Sequence, residues 1–324
     1  MNTYARILLI IPFLVCMTIQ FAIGQQLPQY SQYIFNGLHV NPGYAGYKNE
    51  GYVQSTYRSQ WVGFDGAPKT FTVTADLSAN EGLMGFGFSV LADEIGPTRT
   101  TSSMLTYAYR IQTGKESFLG LGASAGVSQY RIDASALRPV DEIDTELPIT
   151  DQNLISPNLN VGLFYHTNRF YAGFSTYNMM GRKIVEREDI ALAFNDLHFY
   201  LTMGALLPIS DNIQFKPSFL VKEVKGAPTN YDINGMFLFM ERLWLGGSFR
   251  SNVPLGNDNL QPSISRRNAL AFIAELFATP QLRIGYAYDH NLNVLQNMRT
   301  NSHEFSLGYY LSPRKSTMKN PRWF

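Results

Sequence analysis

Charged residues are scarce in this chain. They make up only 16% of its 324 residues, whereas soluble globular domains carry about 25%. The 26 Lys and Arg nearly balance the 25 Asp and Glu, so the charge gives no reason to expect nucleic acid as a partner. The hydrophobic fraction is an ordinary 45%, with 14% aromatic residues and 26 glycines. This composition is typical of a β-rich chain and argues against disorder, a coiled coil or a helical bundle.

Cysteine is almost absent, and its one position belongs to an expected signal peptide. Residues 1–24 contain an apolar run that ends in Ala22-Ile23-Gly24. Two small residues around a larger one are what signal peptidase accepts, so we expect cleavage after Gly24. A transmembrane anchor is the alternative, but Pro12 and Gln20 leave the segment short of the roughly 20 apolar residues that a span needs.

Cys16 lies inside this leader, behind Val15, rather than at the cleavage point, which argues against a lipoprotein. The mature chain therefore has no disulfide, no thiolate nucleophile and no cysteine-based metal site. Long apolar runs are also missing, because no stretch beyond residue 24 reaches the roughly 18 apolar residues that mark a transmembrane helix. A helical membrane protein is excluded.

Alternation with a period of two residues is present instead. In 282–289 and 84–90, large apolar residues occupy one parity, and small or polar residues occupy the other. Successive side chains of a strand point to opposite faces, so each segment has one apolar face. A soluble sandwich would carry Lys and Glu on its outer face, and these are scarce here. Gly and Ser on the second face fit a lumen that holds water or closely approaching backbone.

About fourteen segments follow this pattern. An even number of strands about 10–13 residues long suits a closed membrane barrel, since a tilted transmembrane strand needs about 9–11 residues. The expected strands are 50–61, 68–79, 82–93, 98–112, 116–131, 156–167, 168–180, 195–208, 211–222, 228–239, 241–251, 265–278, 281–289 and 302–312.

The connections between these segments give an independent indication of topology. They are tight after the even-numbered strands and often long after the odd-numbered ones, namely 132–155, 181–194, 252–264 and 290–301. Outer-membrane barrels have short periplasmic turns and longer external loops. The sequence thus predicts an all-β fold, a transmembrane antiparallel outer-membrane β-barrel of about 14 strands, with both termini in the periplasm.

Four parts of the chain follow from this assignment: a signal peptide (1–24), an N-terminal periplasmic or plug segment (25–49), the barrel (50–312) and a basic periplasmic tail (313–324). The tail carries Arg314, Lys315, Lys319 and Arg322 and no acidic residue. It could dock a periplasmic protein, be read by the barrel-insertion machinery, or plug the lumen.

The longest predicted loop, 132–155, is acidic, with six acidic residues against Arg138 alone. It is either a solvated loop or a contact surface for a basic partner or a divalent cation.

Residues with catalytic potential are sparse. The five histidines show no metal-ligand spacing, and neither a G-x-S-x-G motif nor a P-loop is present. His303 near Asp289 and Ser302 is the one arrangement that could support a barrel hydrolase. We expect no cofactor, no metal site and no enzymatic activity.

Three stretches near the mature N-terminus resemble a known family: 26–33, the turn Asn41-Pro42-Gly43-Tyr44-Ala45-Gly46, and 57–70. The last of them contains Arg58-Ser59-Gln60-Trp61 and Gly66-Ala67-Pro68 and is the most specific. Later stretches agree with it, at 216–222, 244–250, 285–289 and 302–305. Together they resemble the PorP/SprF family of type IX secretion outer-membrane proteins over essentially the whole mature chain. Gly43 is a small departure, since the family usually shows Ala there.

The resemblance implies a barrel that works with other type IX secretion components on a secreted surface adhesin, of the gliding-motility type, that carries a C-terminal sorting signal. It also implies, in some members, attachment to a periplasmic peptidoglycan-binding lipoprotein, besides contact with outer-membrane lipid. A passive channel or a hydrophobic-solute transporter would use the same barrel and is the alternative function.

The motif residues have two interpretations. Asn41, Pro42 and Gly46 suit a turn that leads the N-terminal segment into the first strand. Arg58 and Gln60 share a parity that faces the lumen, where a buried Arg requires a carboxylate or carbonyl partner. Trp61, on the other parity, suits the interfacial aromatic girdle. These residues, with Gly66 and Pro68, either hold a plug in place or recognise a client.

Overall fold

The computed structural model describes residues 27–133, 152–180, 196–225, 227–253, 269–292 and 301–312. The expected signal peptide, the basic tail 313–324 and most of the acidic loop 132–155 lie outside these residues. No helix in the described ranges is long and apolar enough to cross a membrane.

Antiparallel strands make up most of the described chain. They are β1 (Tyr52–Ser59), β2 (Lys69–Ala79), β3 (Met84–Ile95), β4 (Thr98–Gln112), β5 (Phe118–Ile132), β6 (Gln152–His166), β7 (Phe170–Tyr177), β8 (His198–Ala205), β9 (Leu207–Ser210), β10 (Ile213–Val224), β11 (Thr229–Phe239), β12 (Leu243–Val253), β13 (Ala269–Phe277), β14 (Leu282–Asn291) and β15 (Ser302–Tyr310).

The sheet closes on itself. Neighbouring strands pair in chain order, and β15 returns to pair with β1 along its whole length, from Tyr52 opposite Tyr310 to Ser59 opposite His303. β8 and β9 both pair with β10, so they occupy one position in the barrel. Their break lies opposite the stretch that contains Pro217, which has no N–H to donate. The predicted barrel of fourteen strands is therefore confirmed.

One strand boundary differs clearly from the expectation. β6 begins at Gln152 and pairs with β5 from Ile132 onward, so five residues expected in the acidic loop, Ile132 and 152–155, belong to strands. The first residues of β6 lack clean alternation, and Gln129 donates to the Asn153 side chain across the pair at 2.9 Å. Polar cross-strand contacts of this kind leave no hydrophobic period to detect in a sequence.

The outer face carries the predicted apolar parity. Phe86, Phe174 and Ile284 are 44%, 46% and 48% exposed on the outside of the barrel. Their strand neighbours Gly85 and Arg283 are buried on the inside. The two parities thus separate an apolar outer wall from a polar and glycine-rich inner wall.

The inner space is filled by the chain itself. Residues 27–49, here called the plug, fold inside the barrel as 3₁₀ turns at Gln32–Phe35, Gly37–His39 and Pro42–Tyr44. A further 3₁₀ turn, Asn80–Gly82, connects β2 to β3. The side chains of Phe35 and Tyr44 are 1% exposed and form a core with wall residues such as Trp244 and Phe164. The hydrophobic core of this protein is therefore the interface between the plug and the barrel wall.

The two ends of the barrel differ in their connections. Residues 133–151, 178–197, 254–268 and 292–301 connect strands at one end, the long-connection end. The other, short-turn end carries the connections 80–83, 113–117, 167–169, 211–212, 240–242 and 278–281. The plug enters β1 at the short-turn end, at Tyr52.

Candidate functional site

A network of six charged side chains lies in the lumen: Arg58, Lys222, Asp232, Arg250, Asp289 and Glu304. Arg58 donates to Asp289 at 2.6 Å and to Glu304 at 2.9 Å. Arg250 bridges the Asp232 and Asp289 carboxylates at 2.9 and 3.5 Å. Three cations face three anions, so this charged network is electrically balanced, as buried charges must be to remain ionised.

The charged network binds the plug backbone. The N–H groups of Ser31 and Gln32 donate to the two Glu304 carboxylate oxygens at 2.8 and 2.9 Å. Ser31 Oγ donates to Asp289 Oδ1 at 2.7 Å, and Arg250 Nη2 donates to the Tyr30 carbonyl at 3.3 Å. Hydrogen bonds to charged groups are about twice as strong as neutral ones. The network therefore holds the first part of the plug in a defined register.

The Gln32 side chain extends this attachment to the neighbouring wall. Its Nε2 donates to the Glu304 carbonyl at 3.1 Å, and its Oε1 accepts from Ser306 Oγ at 2.6 Å. A Cβ at Gly285 would lie 2.1 Å from the same Oε1. Gly285 thus makes room for the glutamine, which explains a glycine at this inward position.

Glycines of the wall receive the turn at Asn41 and Pro42. A Cβ at Gly122 would lie 2.2 Å from the Gly43 nitrogen, and one at Gly162 would lie 2.2 Å from Asn41 Oδ1. Asn41 Oδ1 accepts from the Gly43 N–H at 2.8 Å, and its Nδ2 donates to the Leu163 carbonyl at 2.8 Å. Asn41 therefore caps its own turn and binds the wall through the same side chain.

Gly46 lies at a further contact between the plug and the wall. It has φ +66°, a left-handed conformation that favours glycine, and its N–H donates to Asp76 Oδ2 at 3.0 Å. Arg110 Nη2 donates to the Ala45 carbonyl at 2.7 Å. A Cβ at Gly85 would lie 1.9 Å from that carbonyl oxygen, so plug backbone and wall backbone are in direct contact.

Two buried lysines stabilise the 3₁₀ turn Gln32–Phe35, which lies between the charged network and the glycine contacts. Lys216 Nζ donates to the Ile34 carbonyl at 2.7 Å. Lys48 Nζ donates to the Phe35 carbonyl at 3.3 Å and lies 3.2 Å from the centre of the Tyr52 ring. Cation–π contacts strengthen when they are shielded from water, so both lysines help to hold Ile34 and Phe35 in place.

Two titratable side chains of the plug, His39 and Tyr33, remain neutral. Burial, reinforced by the positive charge of Lys48, lowers the pKa of His39 to about 4. The neutral ring stacks on Tyr30 at 4.8 Å between centroids. Burial and the nearby Asp232 carboxylate raise the pKa of Tyr33 well above its ordinary value. Apart from Lys48, the charged side chains described above lie on the barrel wall.

One cavity of about 20 Å³ is lined by residues that include Tyr33, Tyr44, Phe164 and Tyr171. A volume of this size is about what a single water molecule needs. This cavity is too small for an organic ligand.

The sequence-predicted site residues fall into separate places. Arg58 lies in the charged network, and Asn41, Pro42 and Gly46 lie at the glycine contacts. Gln60, which shares the inward parity of Arg58, lies just beyond β1 and pairs by backbone with Pro68, its N–H donating to the Pro68 carbonyl at 2.9 Å.

Trp61 and Gly66 lie in the connection after β1. Trp61 has φ +46°, and its N–H donates to Ser302 Oγ at 3.3 Å. Gly66 has φ +72° and accepts from the Gly96 N–H at 2.9 Å. These residues shape the rim of the long-connection end and are separate from the lumen contacts. Arg314, Lys315, Lys319 and Arg322 lie outside the described residues.

The structure does not bring the side chains of His303, Asp289 and Ser302 together. Asp289 and Ser302 are buried on the inner face, whereas His303 points outward and its Nδ1 is 2.8 Å from the Tyr286 hydroxyl. Adjacent strand residues point to opposite faces, so sequence neighbours cannot meet here. Within the described part of the chain, no group of three His, Cys, Asp or Glu side chains could hold a metal ion.

Sequence reasoning did not connect Arg58 with the other members of the charged network, and it named Asp289 only beside His303. Asp232, Arg250, Asp289 and Glu304 are on the inward parity of membrane strands, and an ionisable residue there is a functional candidate by default. Three of the four lie in the later family-like stretches 244–250, 285–289 and 302–305. A search for inward charges on the predicted strands would have found them.

The fold and the site define an outer-membrane β-barrel whose lumen is occupied by its own N-terminal segment. The chain belongs to the family described as type IX secretion system membrane protein PorP/SprF, whose model matches residues 22–309. The resemblance seen in the sequence motifs is thereby confirmed. Its family and fold are those of a secretion or transport membrane protein of the outer membrane.

Solved structures agree with this fold. The CymD monoaromatic hydrocarbon channel is similar with a TM-score of 0.53 at 10% identity, over 90% of this chain and 95% of that one. A FadL homologue of Pseudomonas aeruginosa has a TM-score of 0.50 at 13% identity, over 90% of this chain and 96% of its own. At such identities the likeness concerns the fold alone. No curated protein matches the sequence.

Proposed function

We propose that this protein assists the secretion, surface localisation or anchoring of a cognate surface adhesin of the gliding-motility type. Family membership over residues 22–309 is the observation that carries the proposal. The filled lumen supports it, because a barrel closed by its own chain suits a scaffold for a partner better than an open pore. The adhesin would carry a C-terminal sorting signal, and other secretion components would deliver it.

We further propose that the long-connection end faces outward and the C-terminus faces the periplasm. Short periplasmic turns and longer external loops are the rule for outer-membrane barrels. β15 ends at Tyr310 at the short-turn end, so the basic tail 313–324 would start in the periplasm. There, Arg314, Lys315, Lys319 and Arg322 would contact a peptidoglycan-binding lipoprotein.

Deletion of the gene tests the adhesin proposal. We expect one adhesin, or a small set, to disappear from the cell surface while general export continues. Complementation with a chain that lacks residues 314–324 tests the tail, provided that the amount of folded barrel is quantified in the same cells. A normal pull-down of the lipoprotein and normal adhesin display would reject the tail as a docking element.

A passive channel or hydrophobic-solute transporter is the second candidate, because the fold also occurs in a channel protein. Conductance across liposomes separates the two. A plugged secretion partner should conduct little, and a variant that lacks residues 27–47 should conduct more. Undisturbed adhesins in the deletion strain, together with steady conductance of the intact protein, would favour the channel.

A further inference from the structure

The path of the plug through the lumen starts at the long-connection end. The Leu27 N–H donates to His198 Nε2 at 3.1 Å. His198 is the first residue of β8, and the connection 178–197 precedes it. The first described residue of the plug therefore lies at the end that carries the long connections.

The next plug residues have partners at the same end. Tyr30, Ser31 and Gln32 bind side chains of Arg250, Asp289 and Glu304. Asp289 and Glu304 lie within three residues of the connection 292–301, and Arg250 lies within four residues of the connection 254–268. Contacts with three separate strands thus place this part of the plug at the long-connection end.

The plug reaches the opposite end a few residues later. Ile34 binds Lys216, the fourth residue of β10, and the Phe35 ring packs on Trp244, the second residue of β12. Both strands start at the short-turn end. The chain from Leu27 to Phe35 therefore runs along the lumen from one end to the other.

Distance then decides where the mature N-terminus lies. Cleavage after Gly24 leaves two residues before Leu27, and two extended residues span about 7 Å. An eight-residue strand such as β1 rises about 26 Å. Two residues cannot cover that length, so they cannot return the N-terminus to the short-turn end.

We propose that the mature N-terminus lies at the long-connection end of the barrel, on the opposite side of the membrane from the C-terminus. In the orientation proposed above, that end faces the cell surface, and the half-buried residues 27–29 form part of the surface that an exported client meets. This proposal replaces the expectation that both termini lie in the periplasm. The position of the N-terminus relative to the barrel follows from the contacts, and its position at the cell surface rests on the proposed orientation.

An epitope inserted between Gln26 and Leu27 tests the inference in intact cells. Reference chains carry the same epitope at Asp65, in the connection after β1, or at Lys115, in a short turn. Each chain is first checked for heat-modifiable folded barrel, and antibody binding is compared before and after permeabilisation. We expect the N-terminal epitope to bind antibody on intact cells as well as the epitope at Asp65, and the epitope at Lys115 to bind only after permeabilisation.

The outcomes separate the inference from the orientation. If the N-terminal epitope follows Lys115, the inference is overturned. If it follows Asp65 but both are hidden in intact cells, the inference stands and the orientation is wrong.

A second variant covers the case in which the insertion blocks folding. Gln29→Cys places a thiol on the half-buried start of the plug, and small charged methanethiosulfonates report from which side it reacts. The parent chain, in which Cys16 is expected to be removed, controls for background. Reaction only from the side on which Lys115→Cys reacts would overturn the inference.

Discussion

The two halves of the plug contact the barrel wall in different ways. The first half, residues 27–35, is held mainly by charged side chains of the wall that bind its backbone. The second half, residues 36–49, binds Asp76 and Arg110 at its end but lies mainly against wall glycines with backbone on backbone. Charged contacts can be exchanged for contacts with water or a partner, whereas a steric fit has no such substitute. The first half therefore depends more on charged wall side chains than the second half does.

The largest expected effect concerns the charged network. Arg58→Met leaves the buried carboxylates of Asp289 and Glu304 without their shared cation. Breaking a buried ion pair from one side costs about 3–5 kcal/mol, so we expect a loss of stability of that order, with raised liposome conductance as the first half detaches. Thermal or urea unfolding of the purified barrel measures the loss.

The exposed pair of Arg99 and Glu94, 3.8 Å apart, provides the matched control for this variant. Glu94→Gln should change stability by about 0–1 kcal/mol. If both variants lose the same stability, the charged network does not hold the plug.

A charge placed on the lipid-facing outer wall serves as a reference, because it alters neither half of the plug. Phe174→Lys places an ammonium where the strand faces lipid, at a cost of about 2–4 kcal/mol near the middle of the membrane. We expect less heat-modifiable barrel in the outer membrane, with unchanged conductance per folded molecule. Phe64→Lys, at a side chain that is 54% exposed but lies in the connection after β1, should be tolerated. Equal loss in both variants would contradict the assignment of the lipid face.

Overpacking tests the second half of the plug. In Gly122→Ala the new methyl group would lie 2.2 Å from the Gly43 nitrogen, and backbone must move to admit it. Overpacking costs about 1–3 kcal/mol, and we expect the upper part of this range. Gly235→Ala is the matched control, because its methyl would meet Phe215 at an ordinary 3.5 Å. If the two variants unfold at the same temperature, the glycine contacts do not position the plug.

The smallest effect is expected from the loss of a neutral hydrogen bond between the wall and the plug, in contrast to the charged ones. Ser306→Ala removes the donor to Gln32 Oε1, and such a bond contributes about 0.5–1.5 kcal/mol. We expect a small decrease in stability and no change in conductance, because Glu304 still holds Ser31 and Gln32. Thr113→Ala, in an exposed turn, controls for loss of a hydroxyl. A conductance as high as that of Arg58→Met would show that the neutral hydrogen bond holds the plug as firmly as the charged contacts do.

The sequence could predict those features of the site whose signal lies within a single strand. The inward parity of Arg58 and its need for a carboxylate follow from its own strand. The identity of that carboxylate does not, because Asp289 is 231 positions away and meets Arg58 only when β15 closes the barrel against β1. Gln60 shares the parity but lies past the end of β1, where alternation no longer sets direction.

The sequence by itself determined the features that repeat along the chain. Alternation, scarce charge and the parity of turn lengths act over a few residues each, so they specify an outer-membrane barrel of fourteen strands without knowledge of contacts. Only the tertiary structure decided that residues 27–49 fill the lumen, and in which direction they cross it. That path depends on where Glu304, Lys216 and Gly122 lie around a closed wall, and closure joins residues that no local pattern connects.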